Sequence, residues 1–332
     1  MKAALFDGTS KFKIIDKDIP AISENEVLVK VSACGICGTD IKIMAGKSHS
    51  NPPVVLGHEF CGKVVEIGPE VKNIKAGDFV SVDPNIFCGS CKFCKKGRVN
   101  LCNNLTALGV DIDGGFAEYC VVPQSQCYKI NNNSVINGAL MEPLSCAIYG
   151  IQKADIKIGN SVLIIGAGMI GIMMIKLSKL KGAGRVVVQE VDNQRKQFAR
   201  DNGADLVIAP DDRSYQKKWS NSFDIVIECA GTIETARQSI NLVKEGGTIV
   251  YFGVVPNDQV MKIKPYDIYK RDITLRGSFL NPFTFSTAQN LINNDKIDFS
   301  NLDIAKFPLV KINEAIQNQR EKKDLKAMIF FE

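Results

Sequence analysis

The stretch Ser161-Val-Leu-Ile-Ile-Gly-Ala-Gly-Met-Ile-Gly171 decides the fold of this chain. Its first five residues form a continuous apolar run, which is typical of a strand buried on both faces. Three glycines follow at the G-x-G-x-x-G spacing, at the point where a helix begins. The first permits a tight turn, the second lets the backbone approach a pyrophosphate, and the third allows close helix–strand packing. The predicted phosphate-binding residues at this helix amino terminus are Gly166, Gly168, Met169, Ile170 and Gly171.

Alternating strands and helices extend this unit over residues 146–279. The predicted strands after the first are 185–190, 204–209, 223–229, 247–253 and 272–277. The predicted helices between them include 194–202, 215–220 and 235–242. This alternation predicts a doubly wound parallel sheet, the Rossmann arrangement.

An acidic residue at the end of the second strand indicates which dinucleotide binds. Glu190 follows Gly171 at the distance at which such proteins place the carboxylate that binds the ribose hydroxyls. A carboxylate there repels a 2′-phosphate, so the sequence favours NAD over NADP. Asp192 could take this role if the strand runs further, and Arg195 could accommodate a 2′-phosphate, which keeps NADP open.

The amino-terminal part of the chain carries a different signal. Residues 1–33 alternate in short strand patterns that predict a β-rich domain. The motifs Gly35-Ile-Cys-Gly-Thr-Asp40 and Gly57-His-Glu-Phe-Cys-Gly62 follow. Cys37, His58 and Glu59 offer a thiolate, an imidazole and a carboxylate, which is a donor set that zinc accepts. The sequence therefore predicts a catalytic metal site here.

A second metal site is predicted downstream. Cys88, Cys91, Cys94 and Cys102 have the close spacing of a tetrahedral four-cysteine zinc lobe. Four thiolates leave no position open for a substrate, so this zinc should be structural.

Residues between and after these motifs suggest a discontinuous first domain. A turn is predicted at 131–133, and Glu142 lies just before Pro143 at the start of a helix, as a cap or a site residue. The tail shows helices at 286–294 and 313–319 and a strand at 327–331. We expect it to rejoin the amino-terminal part, so that residues 1–145 and 280–332 form one domain and 146–279 the other.

Composition excludes several classes of protein. The 332 residues carry a net charge of +5 with scattered lysines and arginines, so no nucleic-acid groove is predicted. No apolar run reaches the ~20 residues of a membrane span. No secretory signal is visible, which predicts a cytoplasmic location, and the eleven cysteines are too sparse for a disulfide scaffold.

Taken together, the motifs resemble those of the zinc-dependent medium-chain alcohol dehydrogenases. The resemblance rests on GICGTD (35–40), GHEFCG (57–62), the four-cysteine lobe, GGFAEY (114–119), MEPLSCA (141–147) and GAGMIG (166–171). They occur in the family's order and cover nearly the whole chain. The MEPLSCA segment is most similar to the sorbitol, polyol and threonine dehydrogenase branch.

The resemblance implies a GroES-like catalytic domain joined to a Rossmann domain, with two Zn²⁺ ions per chain and NAD. It implies a catalytic zinc on Cys37 and His58, with Glu59 as a direct or exchangeable ligand. Glu142 matches a further glutamate that binds the metal directly or through water. Thr39 matches the hydroxyl that relays the substrate proton.

One position departs from the family pattern. Many relatives have a histidine at the outer end of the proton relay, where this chain has Lys42. The relay must then end at the ribose, at water or at Lys42 itself. Alternatively, Lys42 binds an anionic group of the substrate, which would suit a sugar-alcohol phosphate, or it is a solvated surface lysine.

The expected activity is hydride transfer between a secondary alcohol of a polyol or polyol phosphate and NAD, which gives a ketose. The alternatives are an L-threonine 3-dehydrogenase-like enzyme of amino-alcohols, a non-catalytic cofactor-binding relative, and a zinc-free quinone reductase. Relatives in the family are dimers or tetramers, so the resemblance implies a homodimer or homotetramer.

Overall fold

The structure, a computed structural model, describes residues 1–131, 134–210 and 217–332. The chain divides into two compact units. The first comprises Met1–Ser145 and Pro282–Glu332, and the second comprises Cys146–Asn281. The second boundary thus falls at Asn281 rather than at residue 279. Part of the turn predicted at 131–133 and part of the helix predicted at 215–220 lie outside the described residues.

The second unit is built on a six-stranded parallel sheet. Its strands are β11 (Ser161–Ile165), β12 (Arg185–Gln189), β13 (Leu206–Ile208), β14 (Phe223–Glu228), β15 (Val243–Tyr251) and β16 (Thr274–Gly277). Its helices are the end of α3 (Met141–Ala154), then α4 (Met169–Leu180), α5 (Asn193–Asp201), α6 (Ile233–Leu242) and α7 (Pro265–Lys270).

The strands lie in the order β13-β12-β11-β14-β15-β16. This is the strand order of a doubly wound dinucleotide-binding sheet. The chain adds β12 and β13 on one side of β11 and then returns to add β14, β15 and β16 on the other side, so the switch point lies between β11 and β14. Val162, Leu163 and Ile164 are fully buried, as expected for a strand covered on both faces. The predicted fold of this unit is confirmed, and it places the turn after β11 at the switch point where ligands bind such sheets.

The first unit is β-rich. Its strands are β1 (Lys2–Phe6), β2 (Lys13–Asp16), β3 (Glu26–Gly35), β4 (Val54–Val55), β5 (Glu59–Ile67), β6 (Phe79–Val82), β7 (Asn85–Ile86), β8 (Thr106–Ala107), β9 (Tyr119–Pro123), β10 (Cys127–Lys129), β17 (Ile304–Pro308) and β18 (Lys326–Phe330). Its helices are α1 (Gly38–Met44), α2 (Val135–Ala139), the start of α3, α8 (Phe285–Asn293) and α9 (Ile312–Glu321).

The main sheet of this unit has the order β10-β6-β5-β3-β18-β17, with β9 also paired to β3. The tail therefore supplies two of its strands, because β17 and β18 join the sheet that the amino-terminal segment begins. Two smaller sheets, β2-β1-β4 and β7-β8, complete the unit. The main apolar core is formed by residues of β1, β3 to β6, β9, α9 and β18, and it includes Phe60 of β5 and Phe116.

The register at the end of β3 brings together segments that are far apart in the sequence. Gly35, the last residue of β3, is paired with Glu59 of β5 on one side and with Met328 of β18 on the other. Side chains of paired residues share a face of the sheet, as do residues two apart on one strand. Glu59 and Lys326 therefore emerge on the same face, on opposite sides of a residue that has no side chain.

Candidate active site

The structure brings three of the predicted metal ligands together in the first unit. One ligand atom each from Cys37, His58 and Glu59 lies within 4.8 Å of the others. Cys37 stands just before α1, and Glu59 opens β5, directly after His58. His58 and Glu59 are buried and Cys37 is partly buried. This is a soft thiolate beside a nitrogen and an oxygen donor, within reach of one ion and shielded from solvent.

Asp40, which the sequence reasoning missed, holds two of these residues in place. Its Oδ2 accepts a hydrogen bond of 2.8 Å from the backbone N–H of Cys37. Its Oδ1 lies 3.5 Å from Nδ1 of His58, and the whole residue is buried. A carboxylate on one ring nitrogen orients a histidine so that the other can bind a metal. The C-x-x-D spacing in GICGTD was the signal, because it places an acid in the first turn of the helix that the cysteine precedes.

Lys326 is the second residue that the sequence reasoning missed. It opens β18 and forms an ion pair with Oε2 of Glu59. Both residues are buried, with 5% of Lys326 and 1% of Glu59 exposed. No local pattern could have identified it, because its partner comes from the far end of the sequence and meets it only through the sheet.

The electrostatics of the cluster favour a cation. Burial alone would lower the pKa of His58, but the negative charges of Asp40 and Cys37 outweigh burial and hold this pKa well above its ordinary value. Burial likewise opposes the charge on Lys326, whereas Glu59, Cys37 and Asp40 raise its pKa. With Cys37 in the thiolate form that binds metals, the three acidic groups outnumber the two bases His58 and Lys326, and a divalent metal ion would compensate the excess of buried negative charge. The residues present therefore fit a metal.

The other predicted catalytic residues differ in how close they lie to the three-residue cluster. The hydroxyl of Thr39 lies 3.6 Å from Sγ of Cys37, so it borders the cluster. Lys42 is half-buried on α1. Burial lowers the pKa of Lys42, and the charge of Cys37 opposes that shift, so Lys42 interacts electrostatically with the cluster. Glu142 is buried in the first turn of α3 but lies outside the cluster of three ligands, and its role as a ligand stays a prediction.

The four cysteines of the lobe also converge. One sulfur each from Cys88, Cys91, Cys94 and Cys102 lies within 4.8 Å of the others. Sγ of Cys102 is 3.5 Å from that of Cys88, and Sγ of Cys91 is 3.5 Å from that of Cys94. All are free thiols, so the arrangement is not a pair of disulfides.

Backbone N–H groups aim at these sulfurs. The N–H of Cys91 donates to Cys88 at 3.4 Å, and those of Cys88 and Asn104 donate to Cys102 at 3.3 and 3.4 Å. Backbone and side-chain donors lower the pKa of Cys88 to about 6. Donors of this kind stabilise thiolates, the form in which cysteine binds zinc.

In the second unit the glycine motif has the geometry that its spacing predicts. Gly166 adopts a left-handed φ of 97°, which favours glycine. A Cβ at Gly171 would collide with the carbonyl oxygen of Gly166, so helix α4 packs tightly on the turn. A Cβ at Gly168 would meet only Nη1 of Arg195, at 3.9 Å, which leaves room beside the helix amino terminus. These residues fit a pyrophosphate.

Glu190 lies directly after β12 and is buried. It accepts hydrogen bonds from the N–H groups of Ala167 at 2.7 Å, Val191 at 2.7 Å and Asp192 at 3.0 Å. Asp192 caps α5 by accepting from the N–H of Arg195. Glu190 therefore holds the glycine-rich turn, and its role as the carboxylate that binds the ribose stays a prediction.

Comparison with known proteins identifies the family. Residues 23–132 match the alcohol dehydrogenase GroES-like domain, and residues 170–294 match the zinc-binding dehydrogenase domain. D-arabinitol dehydrogenase 1 of Uromyces fabae is 34% identical, over 99% of this chain and 97% of its own. The chain belongs to the zinc-dependent medium-chain alcohol dehydrogenase family. The predicted family and fold class are thereby confirmed.

Two further comparisons bear on this dehydrogenase. L-threonine 3-dehydrogenase of Caldanaerobacter subterraneus subsp. tengcongensis is 38% identical over 80% of this chain and 78% of its own. The crystal structure of a zinc-binding dehydrogenase from Sinorhizobium meliloti, bound to NADP, superposes with a TM-score of 0.96 at 38% identity, over 99% of both chains. The dehydrogenase is thus an oxidoreductase that uses zinc and a nicotinamide cofactor. Among its described residues, no helix is long and apolar enough to cross a membrane.

Proposed function

We propose that this dehydrogenase transfers a hydride between a secondary alcohol of a polyol or polyol phosphate and NAD, giving a ketose. The observation that carries the proposal is the buried cluster of Cys37, His58 and Glu59, with the Thr39 hydroxyl 3.6 Å from the thiolate. The full-length similarity to a D-arabinitol dehydrogenase supports a polyol as the substrate.

The roles of the residues follow from the cluster. Cys37 and His58 would hold the zinc, with Asp40 fixing the imidazole and Glu59 available as a third, exchangeable ligand. Zinc, when bound, supplies a Lewis acid that lowers the pKa of the substrate hydroxyl, and NAD accepts the hydride. Thr39 would receive the proton that this hydroxyl loses, because its own hydroxyl can donate and accept at once.

Lys42 would complete the substrate site. It stands on α1, the helix that Cys37 precedes, one turn beyond Thr39, where relatives carry the relay histidine. A half-buried ammonium can bind the phosphate of a polyol phosphate, or pass the relayed proton to water. The first role predicts lower KM values for phosphorylated substrates.

The cofactor is proposed to be NAD rather than NADP. Glu190 is held at the end of β12 by three backbone N–H groups, so its negative charge cannot swing away from an incoming 2′-phosphate. A structural relative binds NADP, so the preference of this enzyme for NAD has to come from its own residues. Glu190 would repel a 2′-phosphate, and the neighbouring Arg195 is the group that could offset this repulsion.

We further propose two zinc ions per chain, the second held by the four-cysteine lobe, and assembly into a homodimer or homotetramer in the cytoplasm. The second zinc would be structural, because its four sulfurs leave no position for a substrate.

A second candidate function is favoured by one observation, the 38% identity to an L-threonine 3-dehydrogenase. Both enzymes would oxidise a secondary alcohol on the same metal. The two substrates differ in the groups beside that alcohol: L-threonine carries an ammonium and a carboxylate group, whereas a polyol carries further hydroxyl groups.

The experiment combines metal analysis with substrate profiling. We expect two zinc ions per purified chain, and NADH formation at 340 nm on pentitols, hexitols and their phosphates that exceeds NADH formation on L-threonine. The Cys37→Ser variant should retain one zinc and lose activity. The control is Cys127→Ala, which removes a thiol of the same unit outside both clusters and should retain both ions.

Two results would contradict the proposal. A Cys37→Ser variant that keeps full zinc content and activity would remove the metal site from the mechanism. Turnover of L-threonine well above that of every polyol would establish the second candidate instead.

A further inference from the structure

A contribution to the stability of the fold does not explain the buried ion pair between Lys326 and Glu59. Lysine is almost never fully buried, and removing two charges from water carries a large desolvation penalty. An apolar pair of similar volume often stabilises a fold equally well. A buried ammonium that contacts a proposed metal ligand therefore indicates a function at the metal site.

The chain makes room for this pair. A Cβ at Gly35 would lie 3.0 Å from Cε of Lys326 and still closer to Oε2 of Glu59. The two side chains thus meet across Gly35, from β18 and β5, in the space where any other residue would place its side chain. The backbone registers on both sides of β3 fix this position, so the pair is built into the sheet.

The carboxylate of Glu59 consequently faces two cationic positions. Its Oε2 contacts the ammonium of Lys326, and one of its oxygens lies within 4.8 Å of the ligand atoms of Cys37 and His58. A carboxylate whose negative charge is neutralised by an ammonium group is a weaker ligand for a metal ion. Lys326 also lies within the field of Cys37 and Asp40, so its charge acts on the whole cluster.

We propose that Lys326 is a positioning residue that competes with the catalytic metal for Glu59 and prevents this carboxylate from becoming a permanent ligand. The inference rests on the proposed function, since it takes Cys37 and His58 to hold the metal. Its consequence is that one coordination position stays open for the substrate, while Glu59 remains close enough to occupy it when substrate leaves.

The test replaces the catalytic zinc with Co²⁺ in the full-length protein. Lys326→Met keeps the length of the side chain without its charge, and Lys326→Gln is a smaller neutral alternative should the first variant fold poorly. Lys326→Arg is the matched control that retains the charge. The measurements are the visible absorption of Co²⁺ and the rate at which a chelator removes it, with Cys37→Ser as the baseline for the four-cysteine lobe.

We expect the neutral variants to change the Co²⁺ absorption, because Glu59 becomes a direct ligand, and to slow Co²⁺ removal by about 10-fold, the size of outer-shell effects on metal affinity. Lys326→Arg should stay close to the unmodified protein in both measurements. Adding Glu59→Gln to Lys326→Met removes the competing carboxylate, so the slow removal should disappear while the buried charge stays balanced.

Two negative results have different meanings. If both neutral variants keep the absorption and removal rate of the unmodified protein, the inference is wrong although the metal site stands. If the unmodified protein takes up no more Co²⁺ than Cys37→Ser does, the proposed metal site itself is wrong. A double variant that still releases Co²⁺ slowly would also overturn the inference, because Glu59 would not be the cause.

Discussion

The glycine at the end of β3 offers the sharpest test of how this site is built. Gly35→Ala places a methyl group against Cε of Lys326, at 3.0 Å, and against Oε2 of Glu59, which lies closer still. Overpacking a buried site costs about 1–3 kcal/mol. If the carboxylate is pushed aside and Lys326 loses its counter-charge, the loss approaches the about 3–5 kcal/mol of a broken buried pair. Each kcal/mol lowers Tm by about 2–4 °C in a unit of this size.

The matched control lies three residues away. Gly38 begins α1, and a Cβ there meets nothing within 4 Å. Gly38→Ala should therefore be neutral, or stabilise the protein by up to about 1 kcal/mol through helix propensity and the unfolded chain. Urea denaturation and calorimetry of the two variants provide the comparison, with metal content as a second readout. Equal stability of the two alanine variants would refute the idea that Gly35 exists to accommodate the ion pair.

Three further predictions concern other parts of the molecule. Cys94→Ser should reduce the zinc content from two ions to one and loosen the four-cysteine lobe, measured by limited proteolysis, whereas an unchanged content would remove the structural zinc. Glu190→Gln should lower the NAD/NADP ratio of kcat/KM by about 10-fold or more, equivalent to about 1.4 kcal/mol, and an unaltered ratio would argue against the ribose contact. Burial raises the pKa of Glu228 above its ordinary value of 4.5, although hydrogen bonds from Thr235, Gly231 and Ala230 oppose the shift. The contribution of the protonated carboxyl group to the free energy of unfolding is therefore complete below about pH 4.5 and is lost as pH rises through the raised pKa. The Tm of Glu228→Gln, followed between pH 4.5 and 8, should therefore gain on that of the unmodified protein as pH rises, and a constant difference would contradict the shift.

Local patterns were enough for the architecture of the second unit and for the family. The buried run of β11, the glycine turn and the acid after β12 lie within one short segment, so spacing alone carries their geometry. The four-cysteine lobe is equally local. The comparisons confirm the family and the oxidoreductase class, whereas the individual ligand roles and the choice of NAD stay predictions.

The active site was only partly visible in the sequence. The spacing of Cys37, His58 and Glu59 suggested a common metal, and the structure does bring them together. It leaves Glu142 outside that group, and it adds Asp40 and Lys326. Asp40 could have been read from its helical spacing to Cys37, but Lys326 could not.

Several features depend on neighbours along the chain and could be predicted from local patterns: the parallel sheet, the phosphate-binding turn, the clustered cysteines and the donor atoms of the metal site. The charges that share the buried space around those donors could be identified only once the chain was folded. They depend on the pairing of strands from distant segments, since β5 and β18 each pair with one edge of β3 and place Lys326 against Glu59 across a glycine. Sheet register is a long-range property, and no pattern within one strand specifies its partner.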